Sequence, residues 1–585
     1  MTAFRVLPLL VLLFAMPVVR AGESPNVVIV IADDMGYGDL SCHGNKQLQT
    51  PNLDALYAES VRLTNFHVDP TCAPTRAALM TGKYSRRVGV WHTVMGRSLL
   101  APEETTLAER FAGQGYRTAM FGKWHLGDNF PLRPQDQGFQ EVLMHGGGGV
   151  GQTPDFWGND YFDDVYLRNG HAERFKGYCT DVWFGEATKW LEDNGDEPFL
   201  LYLATNAPHA PYLVDERDSR PFQEAGIGGQ RASFYGMITN LDENVGRFRK
   251  RIDELGLSEN TIFIFMTDNG TAAGHRDGGF NAGMRGNKGS EYDGGHRVPC
   301  FIHWPASRVT GGRDLDALTA HIDLVPTLCS MAGFPIGIEE QLDGTDLSHW
   351  LRDEEDLPCA PPSPGDRTLV VESQRIDYPE KWRKCAVMTQ RWRLVNGEEL
   401  FDINEDPGQK RNVATEHPEI VKELRDAYER WWEHVSDRNG DYVRIVLGSE
   451  AAPVVHLTCH DWHPLSGDTD DVPWSQRDTV EQDPQANGFW AVDVEQPGRY
   501  AFRLRRRPAP DPATIDATTA AVRVDQDVAT STAESSVDAR AASADLIVDL
   551  PAGSGDLWTE LTSDDGETRG AYFVEVRLIE PFAAP

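Results

Sequence analysis

The sequence lacks an excess of positive charge, a C-x-x-C pair and an apolar run of membrane-spanning length. Lysine and arginine total 55 against 90 aspartate and glutamate residues, so the net charge is −35. A nucleic-acid-binding protein needs a basic surface, and this acidic chain offers none. The eight cysteines are widely scattered, which argues against a zinc site or a dense disulfide scaffold. No segment provides the roughly 20 apolar residues that a membrane-spanning helix requires.

The first 21 residues predict a secretory signal peptide. Arg5 supplies a positive charge, an apolar run extends from Val6 to Met16, and the small residues Val19 and Ala21 suit a cleavage site. We therefore expect an exported protein, periplasmic or extracellular, without stable membrane insertion; an uncleaved N-terminal anchor is the alternative. Export permits one or two disulfides, which the sequence cannot pair, and most cysteines are expected to be core residues.

Apolar segments of strand length alternate with segments of helix length between Asn26 and about Ser330. The β-branched run Asn26–Ala32 predicts a strand that is buried on both faces. Further strands are expected at 117–121, 199–205 and 261–266, and helices at 52–60, 105–112, 181–192 and 234–255. Such alternation predicts an α/β fold whose mixed, mostly parallel sheet is sandwiched by helices.

The pattern changes twice after residue 365. Shorter elements and a helix near Pro418–Val435 predict a small subdomain over 366–440. No methionine follows Met388 and no lysine follows Lys422, and short alternating strands over 441–585 predict an appended β-sandwich. Residues 526–544 have few large apolar side chains and predict a loop. The expected division is a signal peptide (1–21), a main α/β domain (22–365), a subdomain (366–440) and a sandwich (441–585).

Oxygen-bearing side chains follow two of the predicted strands. Asp33 and Asp34 come directly after the first strand, and Asp268 and Asn269 come just after the strand that ends near Met266. Because ligands of an open parallel sheet bind beyond the carboxyl ends of its strands, these side chains are expected to meet there. Such a set suits a hard divalent cation, Ca²⁺ or Mg²⁺, and disfavours zinc.

Cys72 precedes a predicted helix. Pro74 is placed to open that helix, and this puts Cys72 at an N-terminus where backbone N–H groups favour an anion. Arg76 lies further along and can neutralise the same anion. Taken alone, such a cysteine is more often a buried structural thiol. The glycine run 146–149 has no following Gly-Lys-Ser/Thr and predicts a flexible loop rather than a phosphate-binding one.

The string from Cys72 to Gly82 resembles the sulfatase family motif C-x-P-S-R-x-x-L-x-T-G, with Thr75 in place of serine. Its core C-x-P-x-R resembles the recognition sequence of the formylglycine-generating machinery. Further motifs in the family's order extend the resemblance over roughly 25–412, and in one of them Asp293 replaces the usual glutamate. The resemblance implies an alkaline-phosphatase-like fold with a small α+β subdomain.

The resemblance also assigns residues. It implies one calcium ion per chain, held by Asp33, Asp34, Asp268, Asn269 and a Cys72 modified to formylglycine. The catalytic positions that it implies are Cys72, Arg76, Lys123, His125, His209 and Lys288. Of these, Lys123 and His125 match residues that flank the formylglycine, His209 matches a histidine near the bridging ester oxygen, and Lys288 matches a lysine that contacts sulfate.

The family chemistry implied here is hydrolysis of a sulfate ester. The hydrated aldehyde at Cys72 supplies the hydroxyl that attacks sulfur, with help from Ca²⁺ and a ligand carboxylate. His209, or Lys288 with it, protonates the leaving alcohol or phenol, and His125 takes the proton from the second hydroxyl. Sulfate then leaves as the aldehyde re-forms. The expected partners are a sulfated carbohydrate or aryl sulfate substrate and a formylglycine-generating maturation enzyme.

Two other functions stay open. The first is a phosphomonoester or phosphonate monoester hydrolase of the same superfamily. Dianionic phosphate commonly recruits two metal ions, whereas this sequence predicts one set of oxygen ligands for one ion, which favours sulfate. An inactive protein that binds sulfated glycans is the second, and exposed tryptophans of the sandwich could stack on sugars unless they fill its core. The tryptophans concerned are Trp462, Trp474 and Trp490. Candidates for substrate specificity are Trp91, His92, His145, Asp155 to Trp157 and Arg285.

Overall fold

The structure, a computed structural model, describes residues 24–334, 336–337, 340–352 and 365–582. The predicted signal peptide and Cys359 lie outside these ranges. Within them, no helix is long and apolar enough to cross a membrane. The seven cysteines in the described part of the chain are all free, and all but Cys42 are buried, as expected for core residues.

The main domain is built on a ten-stranded sheet with five parallel strands at its centre. Its strands, and those of a small two-stranded sheet, are β1 (Asn26–Ala32), β2 (Val61–Leu63), β3 (Phe66–His67), β4 (Arg117–Lys123), β5 (Glu141–His145), β6 (Val165–Arg168), β7 (His171–Arg174), β8 (Phe199–Ala204), β9 (Thr261–Thr267), β10 (Cys300–His303), β11 (Arg313–Leu315) and β12 (Thr319–Ala320). The large sheet has the order β11-β2-β10-β9-β1-β8-β4-β5-β6-β7. Strands β9, β1, β8, β4 and β5 run parallel, whereas β10 and β6 join antiparallel.

Helices cover both faces of this sheet. They are α1 (Pro51–Glu59), α2 (Cys72–Thr81), α3 (Leu107–Gly113), α4 (Cys179–Asn194), α5 (Glu216–Glu224), α6 (Gly229–Glu254), α7 (Asp293–His296), α8 (Leu324–Ala332) and α9 (Ser348–Arg352). Alternate residues of β1 enter two cores. Val27 and Ile29 pack with α2, α3 and α8, and Val28 and Val30 pack with α1, α4 and α6. The continuous apolar run therefore reflects a strand buried on both faces, as predicted.

A four-stranded antiparallel sheet follows, with one helix. Its elements are β13 (Leu369–Glu372), β14 (Cys385–Met388), β15 (Trp392–Val395), β16 (Glu399–Asp402) and α10 (Pro418–Val435). One face packs against Ala78 of α2 and Ile322. The other face is covered by α10 through Leu424 and Tyr428. The helix has the bounds that its sequence predicts.

The C-terminal part of the chain forms two packed sheets whose strand pairs are antiparallel except for the first strand of the larger sheet. Their strands are β17 (Ile445–Leu447), β18 (Val454–Thr458), β19 (His463–Pro464), β20 (Gly488–Val494), β21 (Gly498–Arg505), β22 (Thr519–Gln526), β23 (Ala529–Ser536), β24 (Ala544–Leu550), β25 (Gly553–Thr562), β26 (Thr568–Arg569) and β27 (Phe573–Pro581). One sheet has the order β17-β20-β25-β22-β23 and the other β18-β27-β21-β24. Their shared core also takes in Leu99 and Leu132 of the main domain.

Three sequence expectations meet a definite outcome in this region. The predicted loop over 526–544 is wrong for 529–536, because β23 pairs with β22 along its whole length. β23 is an edge strand with mostly exposed polar side chains, so it needs no apolar pattern to pair. Trp462 and Trp490 are fully buried in the sandwich core. Trp474 is only partly buried. The four-part division of the chain stays a prediction.

Candidate active site

The ends of β1 and β9 lie side by side and bring four oxygen-bearing side chains together. Ala32 pairs with Thr267 at the last position of the parallel register, so the residues that follow both strands meet at one edge. The backbone N–H of Asp34 donates to Asp268 Oδ1 at 3.1 Å. Asn269 Nδ2 donates to Asp34 Oδ1 at 3.0 Å. All four residues, Asp33 included, are buried.

Asp33, Asp34, Asp268 and Asn269 are called the carboxylate cluster below. Two of its oxygens have no protein partner among the described residues. Asp33 Oδ1 and Asn269 Oδ1 are buried and accept no hydrogen bond from the described residues. An uncompensated buried oxygen is costly, and such atoms call for an explanation. A divalent cation with an oxygen-rich shell satisfies both, so the donor set fits Ca²⁺ or Mg²⁺.

Cys72 is the first residue of α2 and faces the same cluster. It is 2% exposed, and atoms of Asp33, Cys72 and Asp268 lie within 4.8 Å of one another. Burial raises the pKa of the Cys72 thiol, although Lys123 and Lys288 act to lower it. A reactive cysteine needs the opposite shift. The Cys72 thiol therefore lacks the lowered pKa of a reactive cysteine.

Three cations surround the cluster, each tied to a different carboxylate. Lys123 Nζ donates to Asp33 Oδ2 at 2.7 Å, and both side chains are fully buried. Arg76 Nη2 donates to Asp268 Oδ2 at 2.8 Å. Lys288 Nζ lies 2.7 Å from Asp34 Oδ1.

The carboxylates and their cations shift one another's ionisation. Burial acts to raise the pKa of Asp34, but Lys288, His209 and Lys123 together bring it well below its ordinary value. The pKa of Asp33 is raised, by burial and then by Asp268. The three cations thus offset the three carboxylates, so positive charge is gathered at this site within an acidic protein without leaving the cluster strongly anionic.

His125 presents one defined nitrogen to Cys72. It follows β4 with a left-handed φ of 65°, and its Nδ1 lies 3.3 Å from Cys72 Sγ. Its Nε2 lies 2.8 Å from the carbonyl oxygen of Thr93, which can only accept. The ring therefore carries its proton on Nε2 and offers Nδ1 as an acceptor. Burial and Lys123 lower the pKa of His125 well below its ordinary value, so the ring is neutral.

His209 lies on the loop after β8, at the open side of the cluster. Its Nε2 is 3.8 Å from Asp34 Oδ2, and its Nδ1 donates to the carbonyl oxygen of Ala210 at 2.6 Å. Burial, and then the charge of Lys288, lower its pKa to about 3. Every residue that the sequence predicts for this site thus lies in one cluster; their catalytic and ligand roles stay predictions.

The loop 146–149 is buried and packs on both histidines, which the sequence analysis missed. A Cβ added at Gly148 would lie 2.2 Å from the His125 ring, and one at Gly149 would lie 3.1 Å from the His209 ring. The backbone N–H of Gly147 donates to Asp128. A run of four glycines is the signal that a close backbone approach occurs here. Thr93, which fixes His125, gave no signal because its contribution is a backbone carbonyl.

Most of the predicted specificity residues are occupied elsewhere. Trp91 is buried and donates to Ile376 O, and His92 bonds Thr469. His145 is buried against Gly146, and Trp157 packs on Phe573 of the sandwich. Asp155 accepts from backbone N–H groups of its own loop, and Arg285 stacks on Tyr292.

Comparison with known proteins matches the chain over the same region. A family model described as Sulfatase matches residues 25–334, a segment that contains the whole site. Arylsulfatase A of Homo sapiens is 35% identical over 463 residues, which cover 68% of this chain and 86% of that protein. Steryl-sulfatase of Mus musculus is 28% identical over 589 residues, covering 85% of this chain and 84% of that protein. The crystal structure of Ps i-CgsB in complex with k-i-k-neocarrahexaose is 27% identical with a TM-score of 0.62, covering 70% of this chain and 93% of that one.

Proposed function

The chain belongs to the sulfatase family, and on that premise we propose that it cleaves sulfate monoesters with a formylglycine made from Cys72 and one calcium ion. Membership carries the alkaline-phosphatase-like fold and the hydrolysis of sulfate esters. The cofactors, the residue roles and the substrate class are the proposal. It rests above all on two buried oxygens of the site that have no hydrogen-bond partner among the described residues, Asp33 Oδ1 and Asn269 Oδ1.

The calcium ligands proposed are Asp33, Asp34, Asp268, Asn269 and the modified residue 72. The four unmodified side chains offer only oxygen to a cation, which suits a hard ion and not zinc. When bound, the ion would offset the charge of a sulfate group and favour the ionised form of an attacking hydroxyl.

Position 72 needs an oxygen where the unmodified chain has sulfur. A thiol with a raised pKa is a poor nucleophile, and sulfur is a poor ligand for a hard cation. The formylglycine hydrate supplies hydroxyl oxygens in its place. The intact C-x-P-x-R string at Cys72–Arg76 supports conversion of Cys72 by a formylglycine-generating maturation enzyme. The predicted signal peptide supports export of the protein.

The cations of the site are placed to hold a sulfate group. Arg76, Lys123 and Lys288 are fixed by their carboxylate partners before substrate arrives. Preorganised charges of this kind need no reorganisation during the reaction. Sulfate bears negative charge on its oxygens, so this cluster offsets the repulsion that an oxygen nucleophile meets at sulfur.

The two histidines have different parts in the proposed proton transfers. Neutral His125 accepts a proton at Nδ1, the atom that faces position 72. His209 donates from Nε2 to the leaving oxygen, since its Nδ1 proton is held by Ala210 O. The pKa of His209 is low without substrate; a bound sulfate adds negative charge nearby and favours its protonated form. Lys288, next to Asp34, is the second proton donor in reach.

A sulfated carbohydrate is the substrate class that we propose. The Ps i-CgsB structure, which holds k-i-k-neocarrahexaose, aligns with 70% of this chain and supports it. An aryl sulfate is the alternative, supported by the likeness to arylsulfatase A.

Paired substrates test the proposed reaction. Protein bearing the aldehyde should hydrolyse 4-nitrophenyl sulfate with a higher kcat/KM than 4-nitrophenyl phosphate. EDTA should abolish that activity, and added Ca²⁺ should restore it. A preference for the phosphate ester would favour the phosphomonoesterase alternative instead. Undiminished turnover after EDTA treatment would refute the metal assignment.

A further inference from the structure

A cavity of about 310 Å³ opens beside His209, between the main domain and the C-terminal sandwich. Its lining includes Val150, Asp160 and His209 from the main domain and Trp474, Arg477 and Asp478 from the sandwich. His209 is the lining residue that contacts the carboxylate cluster, through Asp34 at 3.8 Å. The cavity is large enough for a small-molecule ligand.

The sandwich wall of this cavity is held in place by hydrogen bonds. Gln476 is buried, and its Nε2 donates to the carbonyl oxygens of Gln152 and Asp155 at 2.9 Å each. Its Oε1 accepts from the backbone N–H of Gly158 at 3.0 Å. Thr153 N–H donates to the carbonyl oxygen of Trp474 at 2.9 Å. The segment 474–478 is therefore docked on the loop that also carries Gly148 and Gly149.

The lining combines one aromatic ring with several polar groups. Trp474 is partly exposed and packs on Val94 and Met95 of the main domain. Arg477 is exposed and forms no ion pair within the described part of the chain. Asp478 accepts one hydrogen bond, from Ser475 at 3.3 Å. These groups leave donors and acceptors free for a ligand.

The position of His209 identifies what the cavity receives. A proton donor must lie within hydrogen-bond reach of the oxygen that it protonates. The alcohol that leaves from the sulfate ester must therefore lie next to His209, at the inner end of this cavity. The aromatic and polar groups that line the cavity therefore determine which class of sulfated alcohol binds there.

We propose that this cavity binds the sugar ring of a sulfated saccharide, with Trp474 against one face of the ring. The inference rests on the proposed function and names the sandwich domain as part of the substrate site. An aromatic side chain covers the apolar face of a pyranose while polar neighbours bind its hydroxyls. Asp160 and Asp478 accept from hydroxyls, and Arg477 donates to a ring oxygen, hydroxyl or second anionic group. A phenol or steroid leaves these polar groups unsatisfied, which costs affinity.

The test compares two classes of substrate in one set of variants. The probes are 4-nitrophenyl sulfate and the 4- and 6-sulfates of galactose, N-acetylgalactosamine and N-acetylglucosamine. Trp474→Ala should lower kcat/KM by about tenfold or more on the best saccharide and by less than about threefold on 4-nitrophenyl sulfate. Trp474→Phe, which keeps a ring, should restore most of the loss. Trp558→Ala is the matched control, because Trp558 is also a partly exposed sandwich tryptophan but does not line the cavity.

Each other result decides against the inference in a distinguishable way. Equal losses of Trp474→Ala on both substrate classes would mean that Trp474 only supports the fold of the site. No loss on the saccharide would remove Trp474 from the substrate site. Hydrolysis of 4-nitrophenyl sulfate with none of the saccharide sulfates would overturn the sugar as occupant and leave the proposed reaction intact. Failure on every sulfate ester would overturn the proposed function itself.

Discussion

Two histidines differ in which ring nitrogen reaches the reacting atoms. His125 bonds a carbonyl through Nε2 and turns Nδ1 to Cys72. His209 bonds a carbonyl through Nδ1 and turns Nε2 to Asp34. The backbone thus fixes the tautomer of each ring. In the neutral rings the nitrogen that faces the site, His125 Nδ1 or His209 Nε2, therefore carries no proton. Under the proposed function His125 accepts a proton there, and His209 must first gain one at Nε2 before it donates to the leaving group.

Loss of His209 should matter most for poor leaving groups. A 4-nitrophenolate leaves without help, whereas a sugar alkoxide needs a proton in the transition state. His209→Gln should lower kcat/KM on a saccharide sulfate by about 10²–10⁴-fold and lower it far less on 4-nitrophenyl sulfate. Steady-state kinetics on both esters provide the measurement, with His171→Gln, at an exposed position, as control. Equal losses on both esters would show that His209 does not serve as the acid.

The residues of the site were predictable because the family motifs carry them in order. Sequence alone could not find a residue that acts through its backbone, nor choose Trp474 among the three candidate sandwich tryptophans. Thr93 supports His125 with a carbonyl, which any residue type could supply. Trp474 reaches the site only through long-range docking, and nothing in its neighbourhood along the chain distinguishes it from Trp462 or Trp490.

The glycine loop 146–149 is the element that brings the backbone close to His125 and His209. It is held by Asp128 at Gly147 and by Gln152 Oε1 at Gly148. The loop packs so closely against the His125 ring that no side chain fits at Gly148. The run is therefore part of the active-site wall, and its glycines serve packing rather than phosphate binding.

Gly148→Ala should reduce activity without unfolding the protein. The added Cβ would lie 2.2 Å from the His125 ring, so the ring or the loop must move, and small displacements of catalytic groups are costly. We expect at least about a 10²-fold loss in kcat with an unchanged near-UV circular dichroism spectrum. Gly185→Ala is the control: Gly185 is an exposed residue of α4 with no atom near its added Cβ, and this change should leave activity intact. Full activity of Gly148→Ala would contradict the packing role.

Strands and helices were predictable where burial imposes a pattern of apolar residues. The run Asn26–Ala32 and the helix Pro418–Val435 match their predicted bounds. The edge strand β23 was not predicted, because its polar, exposed side chains follow no burial pattern. Its pairing with β22 runs through the backbone along the whole strand, which a hydrophobic pattern cannot reveal.

The three parts of the molecule are joined by specific buried contacts. Between the main domain and the small sheet, Arg393 Nε donates to Asp293 Oδ1 at 3.1 Å, and both side chains are fully buried. Burial acts to raise the pKa of Asp293, but Arg393 and its neighbours lower it below its ordinary value. A carboxyl with a lowered pKa stabilises the fold above its unfolded pKa of about 4 and loses that contribution as the pH falls.

Removal of Arg393 should therefore destabilise the protein in a pH-dependent manner. Arg393→Met leaves Asp293 buried without its cation, which should cost about 3–5 kcal/mol at neutral pH. The cost should shrink as the pH falls toward 4, because protonation of Asp293 removes the uncompensated charge. Urea unfolding at several pH values measures this difference.

Arg391→Met is the matched control for this measurement, since Arg391 pairs with Asp402 in the same sheet but is 53% exposed. Its loss should cost no more than about 1 kcal/mol. An equal cost for both variants, or a cost for Arg393→Met that does not change with pH, would contradict the account of this pair.

The most direct measurement of the central claim is the state of residue 72 set against activity. Preparations made with different amounts of a formylglycine-generating enzyme should differ in aldehyde content, as mass spectrometry of the peptide that carries Cys72 reports. Specific activity on 4-nitrophenyl sulfate should rise in proportion to the aldehyde fraction and vanish where only thiol is found. Undiminished multiple turnover by protein whose residue 72 is entirely thiol, or by Cys72→Ser without the aldehyde, would contradict it.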